Sequence, residues 1–167
     1  MKLDLVKKLV FALVIGITAV SCMDDSDNDY TPPTLEEEMD YLNEYIDTLQ
    51  NRGFDIDTTD LGVYYVIDSI GDGEFPTFGD TLDVNYTGFF LSGDVFDHSG
   101  GNPYEVILGE TSVIEGWTDG LQKFNKGGRG YLIIPSEYGY GSTGYGSIPP
   151  FTTIVFNITL EDIKFAN

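Results

Sequence analysis

The stretch "TTIVFNITLEDIKF", residues 152–165, places an apolar side chain at nearly every second position, with Ile154, Phe156, Ile158 and Leu160 on one side. A period of two sends successive side chains to opposite faces, so this run is a strand in a sheet with one buried face. "TLDVNYTGFF" (81–90) repeats the pattern, with Leu82, Val84 and Tyr86 set against Asp83, Asn85 and Thr87. "GVYYVIDSIGDG", "SGDVFD", "YEVILG" and "RGYLIIP" read as further short strands separated by glycine turns. Strands this closely spaced pair antiparallel. One short helical stretch, from about Glu115 to Phe124, interrupts them and is expected to cover the single buried face.

Charge and rare residues narrow the function. The net charge is −20, from 8 Lys and Arg against 28 Asp and Glu, which argues against nucleic acid as a partner because phosphate binding needs clustered cations. It argues equally against direct attraction to an anionic membrane surface. The chain has one histidine, His98, and one cysteine, Cys22, so an intramolecular disulfide is excluded and a histidine-based zinc site is not expected. Neither metal nor cofactor is anticipated.

The N-terminus reads as an address. "MKLDLVKKLVFALVIGITAVSC" opens on Lys2, Lys7 and Lys8, continues with an apolar run from Leu9 to Val20, and ends on Ser21-Cys22. The run is too short to span a bilayer, which takes about 20 residues, and has the form of a signal-peptide core. The small residues Ala19 and Ser21 before Cys22 resemble a bacterial lipobox, which implies removal of residues 1–21 and lipidation of Cys22. The expected location is the cell envelope, lipid-anchored at the outer membrane, facing periplasm or surface. Residues 22–33 read as an acidic flexible tether. Asp25, Asp27, Asp29 and Glu36 have the spacing of a calcium loop, but Tyr30 stands where glycine is needed and Pro32 and Pro33 interrupt it.

Residues 34–52 form the one long helix in this reading. Thr34 with Glu37 three residues on is a capping box, and Leu35, Met39, Leu42, Ile46 and Leu49 draw an apolar stripe. That stripe can dock on the following domain or self-associate weakly, giving a monomer or a weak dimer through residues 34–50. Residues 54–167 make up the main domain.

The motifs of that domain occur in a specific order: "VNYTGFF", "GDVFDHS", "YEVILGETSVIEGWTDGLQKF", then "SEYGYGSTGYGSIPPFTTIVFNITL". Together, over about residues 60–165, they resemble the FKBP-type peptidyl-prolyl cis-trans isomerases. The resemblance implies an α+β fold, an antiparallel half-barrel sheet of five or six strands wrapped around one short helix, here preceded by an N-terminal helix. It implies a proline pocket floored by Trp117 of "EGWTDG". Its walls would be Tyr86 from "NYTG", Phe96 and Asp97 from "VFDHS", Tyr104 from "PYEVILG", Val113 and Ile114 from "SVIEGW", Tyr140 from "YGYG", Ile148 from "SIPP" and Phe156 from "IVFNI". By the same resemblance the Ile114 backbone N–H and the Tyr140 hydroxyl would hold substrate carbonyls. Asp97 would lie inside, accepting from a hydroxyl such as that of Tyr86. Two departures stand out: "HSGGNP" after the "FD" motif lacks the basic residue that active members often carry, and Tyr145 stands where histidine is common.

The implied activity is isomerisation of X–Pro bonds in proline-containing polypeptides, assisting the folding of exported proteins. Rotation about the imide breaks no bond, so an apolar aromatic pocket with a few donors suffices and no nucleophile is required. A non-catalytic binding module for proline segments and a chaperone-like envelope lipoprotein are the alternatives.

Overall fold

The computed structural model describes residues 31–166. The signal peptide, Cys22, the acidic calcium-like spacing up to Asp29 and most of the tether lie outside these residues.

The N-terminal helix α1 (Leu35–Asn51) has the anticipated capping box: the Thr34 side chain accepts from the Glu37 N–H, and Glu37 Oε2 accepts from the Thr34 N–H at 2.8 Å. Strands follow as β1 (Asp57–Thr58), β2 (Tyr64–Ser69), β3 (Thr81–Phe90), β4 (Val95–His98) and β5 (Tyr104–Ile107). Helix α2 (Glu115–Gly120) runs on into a 3-10 turn (Leu121–Lys123), and β6 (Arg129–Ile134) and β7 (Ile154–Lys164) complete the sheet. All pairings are antiparallel, in the order β1-β2-β6-β7-β3-β4. β5 shares the outer edge of β3 with β4: it pairs with the first half, Thr81 to Val84, and β4 with Thr87 to Phe89. The sheet is thus seven strands rather than five or six, the extra one being the two-residue β1.

The long pairing of β3 with β7 runs from Thr81↔Lys164 to Phe90↔Ile154 and brings Leu82, Val84, Ile154, Phe156, Ile158 and Leu160 into one core with Trp117, Leu121 and Phe124 of the short helical segment. This is the anticipated buried face.

The other face is not left wet: the N-terminal helix docks there, one of the fates its apolar stripe allowed. Val66, Tyr131, Ile133 and Val155 point away from α2 and are buried beneath Leu42, Tyr45, Ile46 and Leu49 of α1. The sheet is therefore covered on both sides at β6 and β7, because "YLII" in β6 is a continuous apolar run that cannot leave either face wet. The helix also sits rotated from the predicted stripe. Leu35 and Met39 remain 54% and 40% exposed, while Glu38 and Tyr45 take buried positions.

Tyr45 gives this interface a pH limit. Burial, with Tyr131 adjacent, pushes its phenol from 10.0 up to about 12. A raised folded-state value means the fold prefers the neutral phenol. Its contribution is complete below pH 10 and is lost as pH climbs from 10 towards 12, by about 3 kcal/mol over two units. Denaturation at pH 9 and pH 12 is expected to show this loss, and Tyr45→Phe to remove that part of it; an equal loss in the variant would reject the assignment.

Candidate active site

The short helix is the base of the site. Gly116 and Gly120 are one helical turn apart and face β6. A Cβ on Gly120 would lie 2.6 Å from Leu132 Cδ2, and one on Gly116 would overlap Ile134 Cγ2. Their bare backbone lets α2 lie directly on the sheet, which turns Trp117 into the core at 4% exposure. The placement of the only tryptophan between two glycines is thus a packing requirement.

Around Trp117 stands an aromatic box. Tyr86 meets the indole edge-to-face at 5.0 Å and 84°, and Phe156 does so at 5.1 Å and 80°. Tyr104 stands 6.3 Å from the indole. Such T-shaped pairs put ring edges on ring faces, each pair being worth about 0.5–1.5 kcal/mol beyond its burial. The box opens into a cavity of about 640 Å³ lined also by Asp97, Val113, Ile114, Tyr140 and Tyr145. Ser112, Glu115, Glu137, Tyr138 and Gly139 complete the lining. Sequence reasoning did not place these five in the pocket; Ser112, Glu115 and Gly139 each neighbour a residue it named, and Glu137 and Tyr138 lie two to three residues before Tyr140.

Phe96 and Ile148 stand behind the lining. Phe96 packs on Phe156 at 5.6 Å and on Phe90 at 5.1 Å, filling the space that the missing side chain of Gly88 leaves. Ile148, at 6% exposure, anchors its loop in the core. Tyr145 stacks on Tyr140 at 5.4 Å and is 72% exposed, forming the outer lip.

Asp97 is where expectation and structure differ. Its bond is as anticipated: Oδ2 accepts from the Tyr86 hydroxyl at 2.8 Å, and Oδ1 accepts from the His98 N–H at 2.8 Å. It is not buried, however, but exposed at the mouth. A β-bulge lies at this point of the edge strand. Gly88 pairs with Asp97 and Phe89 with Val95, so Phe96 is the extra residue in β4. The bulge breaks the alternation and lets consecutive Phe96 and Asp97 serve the same side.

The hydroxyls remain donors. Burial and then the bond to Asp97 push the Tyr86 phenol up, and burial and then the Asp97 charge push that of Tyr140 up. Ile114 caps α2 with extended backbone at φ −62° and ψ 149°, and no backbone carbonyl among the described residues accepts from its N–H. The rim is acidic, with Asp97, Glu115 and Glu137. The ion pairs among the described residues involve Lys126 and Lys164, and none reaches Asp97.

An antiparallel sheet that closes an aromatic box over a short helix, with hydrogen-bond donors at its mouth, defines a class of proteins built around an apolar pocket. The family model for FKBP-type peptidyl-prolyl cis-trans isomerase matches residues 72–161, and the chain belongs to this family.

A probable FKBP-type peptidyl-prolyl cis-trans isomerase of Haemophilus influenzae is 44% identical over 116 residues, which cover 68% of this chain and 47% of the relative. FK506-binding protein 1 of Yarrowia lipolytica is 40% identical over 98 residues, covering 56% of this chain and 91% of that one. The crystal structure of a peptidyl-prolyl cis-trans isomerase from Pseudomonas syringae superposes with a TM-score of 0.70 at 29% identity, over 81% of this chain and 99% of that one. The chain thus spans less than half the length of the Haemophilus relative.

Proposed function

We propose that this chain is a peptidyl-prolyl cis-trans isomerase acting on proline-containing segments of exported proteins at the cell envelope. The observation that carries the reading is the aromatic box: Tyr86 and Phe156 stand edge-on to the Trp117 indole, and the box opens into a cavity of about 640 Å³. The X–Pro imide is held planar by amide resonance, with a rotational barrier of about 18–20 kcal/mol. The polar resonance form is favoured in water. An apolar pocket that strips water from the imide lowers that preference, and walls that fit the twisted geometry better than either planar one lower the barrier further. In this reading Trp117 is the floor, and Tyr86, Tyr104, Val113 and Phe156 are the walls. The Ile114 N–H and Tyr140 hydroxyl hold flanking carbonyls, and Asp97 fixes the Tyr86 ring through its hydroxyl. Phe96 and Ile148 support the walls from behind, and Tyr145 closes the lip.

The test is cis-to-trans isomerisation of a Leu-Pro peptide by residues 23–167. The uncatalysed reaction takes tens to hundreds of seconds, so catalysis would be plain. Trp117→Leu and Asp97→Ala are each expected to lower kcat/KM by about tenfold, equivalent to about 1.4 kcal/mol of transition-state stabilisation. An acidic rim without Lys or Arg favours a second reading, in which the pocket binds a proline segment of a partner without turning it over. No acceleration from a folded wild-type chain would select that reading.

The anchor in this proposal is a lipid on Cys22, supported by the lipobox-like residues before it. Among the described residues no helix is long and apolar enough to cross a membrane. In detergent phase partition of the full chain expressed in a Gram-negative host, the protein is expected in the detergent phase, and Cys22→Ser in the aqueous phase. Identical partition of the two would remove the anchor from the proposal.

A further inference from the structure

Glu38 is a carboxylate where an apolar side chain would be expected. It lies on the buried face of α1 and is 3% exposed. Its Oε1 accepts from the Ser136 N–H at 2.7 Å and from the Thr153 hydroxyl at 2.7 Å, and its Oε2 accepts from the Ser136 hydroxyl. Among the described residues no Lys or Arg is paired with it. Among the described residues three donors hold this carboxylate inside the protein.

Where those donors lie gives the carboxylate its meaning. Ser136 comes just after β6 and Thr153 just before β7. They are the two ends of a single loop, and that loop carries Tyr138, Tyr140 and Tyr145 of the cavity lining together with Ile148. The clamp continues into the loop. The Ser136 carbonyl accepts from Gly139 and Gly141, and the Gly141 carbonyl accepts from Phe151 at 2.9 Å. Tyr145 and Ile148 exchange N–H···O bonds, both at 2.9 Å. Tyr140 thus hangs on a hydrogen-bonded frame whose two feet stand on one carboxylate.

We propose that Glu38 is a positioning residue for the pocket: the N-terminal helix, through this carboxylate, sets the loop 135–153 that carries Tyr140 over the site. Docking alone would not select a carboxylate. A buried charge stabilises less than a well-packed apolar side chain of similar size, because its desolvation offsets what its partners return. What charge-assisted bonds supply instead is directed geometry, and a site displaced by about 1 Å can lose about a hundredfold in rate.

The proposal rests on the isomerase reading for its kinetic arm and stands apart from it in its structural arm. Glu38→Ala, Glu38→Gln and Leu42→Ala in residues 23–167 are compared well below their unfolding temperatures. Leu42 is fully buried in the same helix, belongs to the apolar cluster with Val66, Tyr131, Ile133 and Val155 of the sheet, and has no polar group to offer the loop ends. Glu38→Ala is expected to lose at least about tenfold in kcat/KM for the Leu-Pro peptide, mainly through KM, because Tyr140 is a binding donor. Glu38→Gln, which keeps Oε1 with its two donors, is expected within about threefold of wild type, and Leu42→Ala within about twofold.

Amide exchange reads the clamp directly. Glu38→Ala is expected to lose protection at Tyr145 and Ile148 while β3 keeps its own, and Leu42→Ala to retain both. Should Glu38→Ala not fold, Thr153→Val frees one foot only and is expected to lose protection at the same two amides. Equal loop protection in Glu38→Ala and Leu42→Ala, or in Thr153→Val and wild type, overturns the proposal. A wild-type chain without isomerase activity rejects the isomerase reading instead, and the exchange result then decides the clamp alone.

Discussion

Removal of the N-terminal helix is expected to lower the thermal midpoint of the domain by about 20 °C or more, or to leave it insoluble. At residues 31–53 the chain lays Leu42, Tyr45, Ile46 and Leu49 over Val66, Tyr131, Ile133 and Val155. Each fully buried apolar side chain is worth about 1.5–3 kcal/mol relative to exposure, against a total stability of about 5–15 kcal/mol for a typical domain. Without the helix, four apolar side chains on the three strands β2, β6 and β7 face water, and Ser136 and Thr153 lose their acceptor. A deficit of about 5 kcal/mol corresponds to about 20 °C at this size. The measurement is thermal unfolding of residues 54–167 beside residues 23–167. Equal midpoints would show that the sheet needs no cover on that side and that α1 is an appendage.

Parts of this architecture were legible in the sequence for definable reasons. β3, and β7 beyond Phe156, were readable because alternation survives where one face is buried and the other reaches solvent. α1 was readable at its start, because the capping box is a local signal. Its rotation was not. Leu35 and Met39 fit the stripe as well as Tyr45 does, and only the positions of Ser136 and Thr153 explain why Glu38 faces inward. The cover on the outer face had a signal, the unbroken "YLII" of β6, but one whose meaning depends on which strands are central.

The pocket was legible through the order of its motifs rather than through periodicity. Strict alternation would set Phe96 and Asp97 on opposite faces, and the bulge that reconciles them is a register property of β3 and β4 together.

Adding a methyl group to each of Gly116 and Gly120 is expected to destabilise the fold by about 3 kcal/mol and to abolish isomerisation. Two effects oppose each other. Alanine is the better helix former by about 1 kcal/mol per residue in a helix interior, so on an exposed helix the double variant would be the more stable protein. Here both Cβ atoms point into β6. At Gly120 the new carbon would meet Leu132 at 2.6, 2.8 and 3.3 Å, and at Gly116 it would overlap Ile134. Leu132 and Ile134 are both fully buried, so neither can swing into open space. Overpacking of this kind costs about 1–3 kcal/mol per site, and two adjacent sites leave lifting α2 off the sheet as the remaining relief. Lifting α2 moves Trp117 away from Tyr86 and Phe156, so the box opens as the stability falls. Denaturant unfolding and the Leu-Pro assay on the double variant read the two consequences separately. Ile134→Val in the Gly116→Ala background should return part of both, because it removes Cδ1, 3.0 Å from the new carbon, and leaves the smaller side chain room to shift. Unchanged stability with full activity would mean that β6 yields to the helix and that the glycines are incidental to the pocket.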